Sequence, residues 1–102
     1  MVHLDIDRTR LAEFCRRWNV RELALFGSAL RDDFGPASDV DLLVTFSPDA
    51  EWTLFDHFRM EQELADLLGR DVDLLTRRGI EESLNWIRRR EILRTARTIY
   101  AA

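Results

Sequence analysis

The chain has 102 residues, 46% hydrophobic and 33% charged, which excludes a disordered tail and is expected to give one globular domain over 1–102 with a modest core. All 15 basic residues are Arg, so a Lys-based phosphate loop and any Schiff-base mechanism are excluded, and the net charge of −4 argues against free-standing nucleic-acid binding. Cys15 is the only cysteine, and His3 and His57 are far apart, so neither a disulfide nor a zinc cluster is available within the chain. The first residues carry no basic and apolar leader, and no apolar run approaches membrane-spanning length, so a cytoplasmic protein is expected.

In chain order, Asp7 to Trp18 reads as a helix, with Leu11, Phe14 and Cys15 on one face and Asn19 at its end. Arg21 to Phe26 reads as a short strand, followed by a one- or two-turn helix after Ser28 and a loop over Asp32 to Ala37. Val40 to Phe46 is almost continuously apolar, as in a strand buried on both faces. Thr53 and Asp56 fit a helix N-cap, and the helix runs to Leu68 with Leu54, Phe58, Leu64, Ala65 and Leu68 as its apolar stripe and Gly69 just past its end. Val72 to Thr76 is the third strand. The pattern after Gly79 predicts one long helix from Ile80 to Ile99, with Leu84, Ile87, Leu93, Ala96 and Tyr100 facing inward. This order defines an α/β (α+β) layer with about three strands and flanking helices.

The chemistry concentrates in two places. Gly27-Ser28 follows the first strand, and backbone N–H groups and a hydroxyl at such a turn suit a phosphate. After ten intervening residues, Asp39 and Asp41 stand two apart at the start of the second strand, where side chains of equal parity share a face. Adjacent carboxylates repel unless something positive lies between them, and Mg²⁺ accepts one or two carboxylates together with phosphate oxygens. Asp73, flanked by Val72 and Leu74, adds a third carboxylate if its strand lies beside Val40–Phe46, enough for two divalent ions in a phosphoryl-type displacement. Asp71 has the same parity; the apolar flanks favour Asp73.

These elements resemble the nucleotidyltransferases of the DNA polymerase beta superfamily, and within it the minimal nucleotidyltransferases that act as antitoxins to HEPN-domain ribonuclease toxins. The likeness rests on Phe26-Gly27-Ser28, Arg31, Ser38-Asp39-Val40-Asp41-Leu42-Leu43-Val44, and Gly69-Arg70-Asp71-Val72-Asp73-Leu74, with helices at both ends. Asp32 departs from the small residue usual after the Arg. The resemblance implies a polymerase-beta-like fold, ATP as substrate with Mg²⁺, and transfer of AMP to a hydroxyl with release of pyrophosphate. Asp39 and Asp41 would hold the metals; Asp73 would complete the site and help deprotonate the acceptor. Gly27 and Ser28 would hold the terminal phosphates. In the antitoxin branch the acceptor is a tyrosine of the toxin, which implies a hetero-oligomer with that partner.

Each of these residues also has a plainer reading. Asp39 and Asp41 can start a strand, and Ser28 can cap a helix without excluding a phosphate role. Arg31 is divided between phosphate and a surface ion pair. Arg88-Arg89-Arg90 reads as a solvated face rather than an RNA contact. His57 is expected on a helix surface or in a local hydrogen bond, and one of Trp18, Trp52 and Trp86 is available to anchor a partner. The competing functions are a non-catalytic antitoxin that covers its toxin, and a nucleotidyltransferase acting on a small molecule or RNA.

Overall fold

The computed structural model describes residues 6–27 and 39–102. The Asp7 carboxylate accepts from the backbone N–H groups of Thr9 and Arg10 at 3.1 and 3.2 Å and so opens helix α1, Arg8–Arg17. Leu11, Phe14 and Cys15 are its buried face. Asn19 turns the chain with a φ of 54°, a left-handed conformation that Asn tolerates, into strand β1, Val20–Phe26. Strand β2 is Val40–Phe46, the span read from the sequence.

Thr53 caps helix α2, Leu54–Leu68, in a capping box. Asp56 N–H donates to Thr53 Oγ1 at 3.1 Å, and Thr53 N–H donates to Asp56 Oδ2 at 3.0 Å. Gly69 ends the helix at φ 69°, its N–H donating to Ala65 O at 2.8 Å. The apolar face of α2 differs from the expected stripe: Met60, Leu64 and Leu68 are buried, whereas Leu54 and Phe58 are exposed. Strand β3 is Val72–Thr76.

The long final helix is not formed. In its place stand α3, Arg77–Glu81, α4, Trp86–Thr95, and a fourth strand β4, Arg97–Ala101. The break has a local cause: Ser83 Oγ accepts from Asn85 N–H, and the Asn85 side chain accepts from Arg88 N–H at 3.1 Å, which starts a new helix. Leu84 and Ile87, expected inside, are 99% and 64% exposed; Leu93, Ala96 and Tyr100 are half-buried. Among the described residues no helix is long and apolar enough to cross a membrane.

The sheet has the order β3-β2-β1-β4, with β2 and β3 parallel and the other pairs antiparallel. Helices cover both faces. On one, α1 and α2 bury Phe14, Met60 and Leu64 against Leu23, Leu25, Val40, Leu42, Val44 and Leu74. On the other, Ile80 of α3 and Ile92 of α4 pack on Ala24, Phe26 and Leu43. Val20 shares the first face with Leu23 and Leu25 although its parity differs, because the ladder shifts register between Val20 and Glu22.

Strand β3 is an edge, and α2 satisfies it. His57 and Glu61, one helical turn apart, grip Leu74: His57 Nε2 donates to Leu74 O at 2.7 Å, and Leu74 N–H donates to Glu61 Oε2 at 2.8 Å. His57 is therefore a tether for the strand that carries Asp73.

Candidate active site

Strand alternation sorts the carboxylates. Val40, Leu42 and Val44 point into the α1/α2 core, so Asp41 lies with Leu43 on the α3/α4 face. Leu74 points into the same core, which sends Asp73 to the α3/α4 face too. The parallel register pairs Asp41 directly with Asp73, and the two carboxylates stand side by side on neighbouring strands. Asp41 is half-buried and Asp73 exposed. Asp39 is exposed just before β2 begins. Asp71 precedes β3, and its backbone carbonyl accepts from Val40 N–H at 2.9 Å, which locks the start of the ladder.

Phe26 is the antiparallel partner of Asp41, and the chain then turns at Gly27 with φ +66°. A Cβ at Gly27 would overlap Asp41 Oδ2 and lie 3.3 Å from its Cγ. The position therefore requires glycine twice, for its backbone and for the carboxylate packed on its α-carbon. Ser28 and Arg31, with the short helix and loop expected around them, lie outside the described residues.

Over Gly27 and Asp41 opens a cleft of about 390 Å³. Its floor is Phe26, Gly27 and Asp41, and its wall is the face of α4 that presents Arg88, Glu91, Ile92 and Thr95. A second cleft, of about 430 Å³, lies between the far end of β2 and the start of α2, with Phe46, Trp52 and His57 in its lining, and among the described residues no acidic side chain lines it. The smaller cleft is thus the one that combines carboxylates with a glycine turn.

Among the described residues, no three His, Cys, Asp or Glu side chains form a group able to hold a metal ion. The convergence of three carboxylates expected from the sequence is here a register pair, Asp41 and Asp73, with Asp39 upstream of it. That pair fits Mg²⁺, which takes one or two protein carboxylates and completes its shell with phosphate oxygens and water.

The wall supplied by α4 was missed in the sequence. Of Arg88-Arg89-Arg90, Arg88 and Arg90 are exposed as expected of a solvated face, Arg88 also lining the cleft, whereas Arg89 is half-buried and donates to Glu81 O and Ser83 O at 3.3 and 3.1 Å. The Asn85–Arg88 cap spacing was the available signal that a helix begins there and turns Arg88 toward the sheet.

Residues 8–99 match the nucleotidyltransferase domain family. The chain belongs to it. It is a minimal nucleotidyltransferase, a transferase enzyme, with the mixed sheet and flanking helices expected of that fold and four strands where about three were expected. It is 35% identical to the protein adenylyltransferase MntA of Thermococcus cleftensis over 72 residues, 71% of this chain and 71% of that one. Its fold is similar to a chain in a crystal structure of a toxin–antitoxin with AMP-PNP, at TM-score 0.71 and 19% identity, covering 95% of this chain and 75% of the other. It is also similar to a chain in the structure of the tri-AMPylated Shewanella oneidensis HEPN toxin in complex with MNT antitoxin, at TM-score 0.62 and 20% identity, covering 93% of this chain and 70% of the other. At those identities the two likenesses concern the fold.

Proposed function

We propose that this nucleotidyltransferase is an antitoxin that transfers AMP from ATP to a tyrosine hydroxyl of a cognate HEPN ribonuclease toxin and so neutralises it. The observation that carries the reading is Asp41 packed on the Gly27 turn at the floor of an open cleft, with Asp73 paired to it in register on the neighbouring strand. The name of the 35% identical relative supports protein as the acceptor, and the fold neighbours support a HEPN toxin as the protein. Trp86, 58% exposed at the start of the cleft-lining helix, is an apolar anchor for such a partner.

In this reading Asp39, Asp41 and Asp73 hold Mg²⁺, two ions for the complete set, and Gly27, Ser28 and Arg31 receive the phosphates. When bound, Mg²⁺ neutralises phosphate charge and polarises the phosphoryl group being transferred. Gly27 brings the backbone close enough for its turn to receive the outer phosphates, and Asp41 is held against it. Asp73 would take the proton of the incoming hydroxyl, a role its greater exposure supports. The tyrosine oxygen bonds to the α-phosphorus, the bond from that phosphorus to the bridging oxygen breaks, and pyrophosphate leaves. The protein works in the cytoplasm as a hetero-oligomer with its target, without direct nucleic-acid contact.

The test is persistence. The toxin is incubated with this protein, ATP and Mg²⁺, then separated from it and assayed for ribonuclease activity. Modification predicts a toxin that stays silent; full recovery on separation would show that neutralisation is by occlusion.

A further inference from the structure

The floor of the cleft is acidic, with Asp41 in it and Asp73 beside it, yet its ligand in the reading above is a polyanion. Besides the metal and Arg31, a cation on the opposite wall would complement that charge, and α4 carries one. Arg88, Glu91, Ile92 and Thr95 share a face at i, i+3, i+4 and i+7, and the buried Ile92 fixes that face against the sheet. Of the two charged residues there, Glu91 is engaged by Arg94 through two hydrogen bonds of 3.0 and 3.1 Å. Among the described residues, Arg88 makes no ion pair. Its backbone is nonetheless fixed: its N–H is held by the Asn85 cap, and its neighbour Arg89 grips the α3–α4 turn at Glu81 O and Ser83 O.

We propose that Arg88 is a phosphate-binding residue of the nucleotide site, its guanidinium taking the outer phosphate oxygens of ATP bound over Gly27 and Asp41. A planar guanidinium pairs with phosphate through two parallel N–H donors, and the pairing is strongest where the cation has no competing carboxylate. The assignment rests on the nucleotidyltransferase reading of this cleft and gives α4 a role in substrate binding that the carboxylate motif does not contain.

The experiment compares the wild-type protein with Arg88→Gln, Arg88→Lys and Arg90→Gln. It measures dissociation constants for ATP and AMP in the presence of Mg²⁺ by calorimetry, and the unliganded thermal midpoint of each variant. Loss of a charge-assisted hydrogen bond predicts that Arg88→Gln weakens ATP about 10-fold or more. AMP, lacking the outer phosphates, should change by much less, and the unliganded midpoint should hold. Arg88→Lys should recover part of the ATP affinity, and Arg90→Gln should match wild type. Equal losses for ATP and AMP, or no loss, would overturn the role of Arg88 while leaving the site intact. Wild-type protein that fails to bind ATP with Mg²⁺ would overturn the nucleotide reading and this assignment with it.

Discussion

Gly27 and Gly69 form a matched pair that separates backbone strain from damage to the site. Both have left-handed φ, +66° and +69°. An L-residue in that conformation costs roughly 1–2 kcal/mol, so Ala at either position carries the same backbone penalty. At Gly69 nothing lies within 4 Å of the added methyl group, and the penalty is the whole effect. In a domain of this size each 1 kcal/mol lowers the thermal midpoint by roughly 4–8 °C, which sets the expected drop for Gly69→Ala. At Gly27 the methyl group meets the Asp41 carboxylate, which must rotate away from its place against the glycine at the floor of the cleft. Gly27→Ala should therefore melt at or below Gly69→Ala and, in addition, lose AMP transfer by roughly 10²-fold, the usual consequence of displacing a catalytic group by about 1 Å. Scanning fluorimetry and a transfer assay with labelled ATP, run at a temperature where both variants remain folded, measure the two effects. Wild-type transfer by Gly27→Ala, or an equal loss of transfer in Gly69→Ala, would refute the argument.

Asp73→Asn should slow transfer by roughly 10²–10⁴-fold, the range for loss of a general base. Asp71→Asn should do far less, because its structural contribution is a backbone carbonyl bond that the substitution keeps; equal losses in rate assays would reverse the choice. Burial pushes the Cys15 thiol from 9.0 up to about 12. The unfolded chain then loses that proton first, and stability should fall as pH rises from 9 toward 12, by at most about 1.4 kcal/mol per pH unit. Urea midpoints across that range should slope downward in wild type and less steeply in Cys15→Ala. The Asp56 carboxylate is held below its usual range by the Thr53 backbone N–H and then by the Thr53 hydroxyl. Its contribution is present above the unfolded carboxylate range and is lost as pH falls through the folded value, so Asp56→Asn should show a flatter acid limb in thermal midpoint against pH.

The elements legible in the sequence were those with local signals. Asp7, the Thr53–Asp56 box and Gly69 mark helix ends through short-range hydrogen bonds, and Val40–Phe46 reads as doubly buried because both its faces are covered. The end of the chain was misread because Leu84, Ile87, Leu93 and Ala96 mimic a helical stripe, whereas the first two are solvent-facing. Burial depends on what packs opposite, which periodicity does not report. Arg97–Ala101 became a strand because β1 offered a free edge, with Thr98 beside Ala24 and Tyr100 beside Leu23. Leu54 and Phe58 misled in the same way on α2, since the face that packs on the sheet is set by Met60, Leu64 and Leu68. At the site, Asp39 and Asp41 were legible by their two-residue spacing and Asp73 by its apolar flanks, but the direct pairing of Asp41 with Asp73 required the parallel register, and the approach of α4 to Gly27 required tertiary packing.

The central claim is that the Gly27–Asp41–Asp73 site transfers AMP to a partner protein, and intact-mass spectrometry of that partner tests it most directly. The HEPN toxin is incubated with this protein and Mg²⁺, with and without ATP, and in parallel with Asp41→Asn, which removes one ligand charge at nearly constant side-chain volume. The account predicts that the toxin gains mass in whole AMP units on tyrosine, only with ATP and only with wild-type Asp41. An unchanged mass with wild-type protein and ATP, or the same gain with Asp41→Asn, would contradict it.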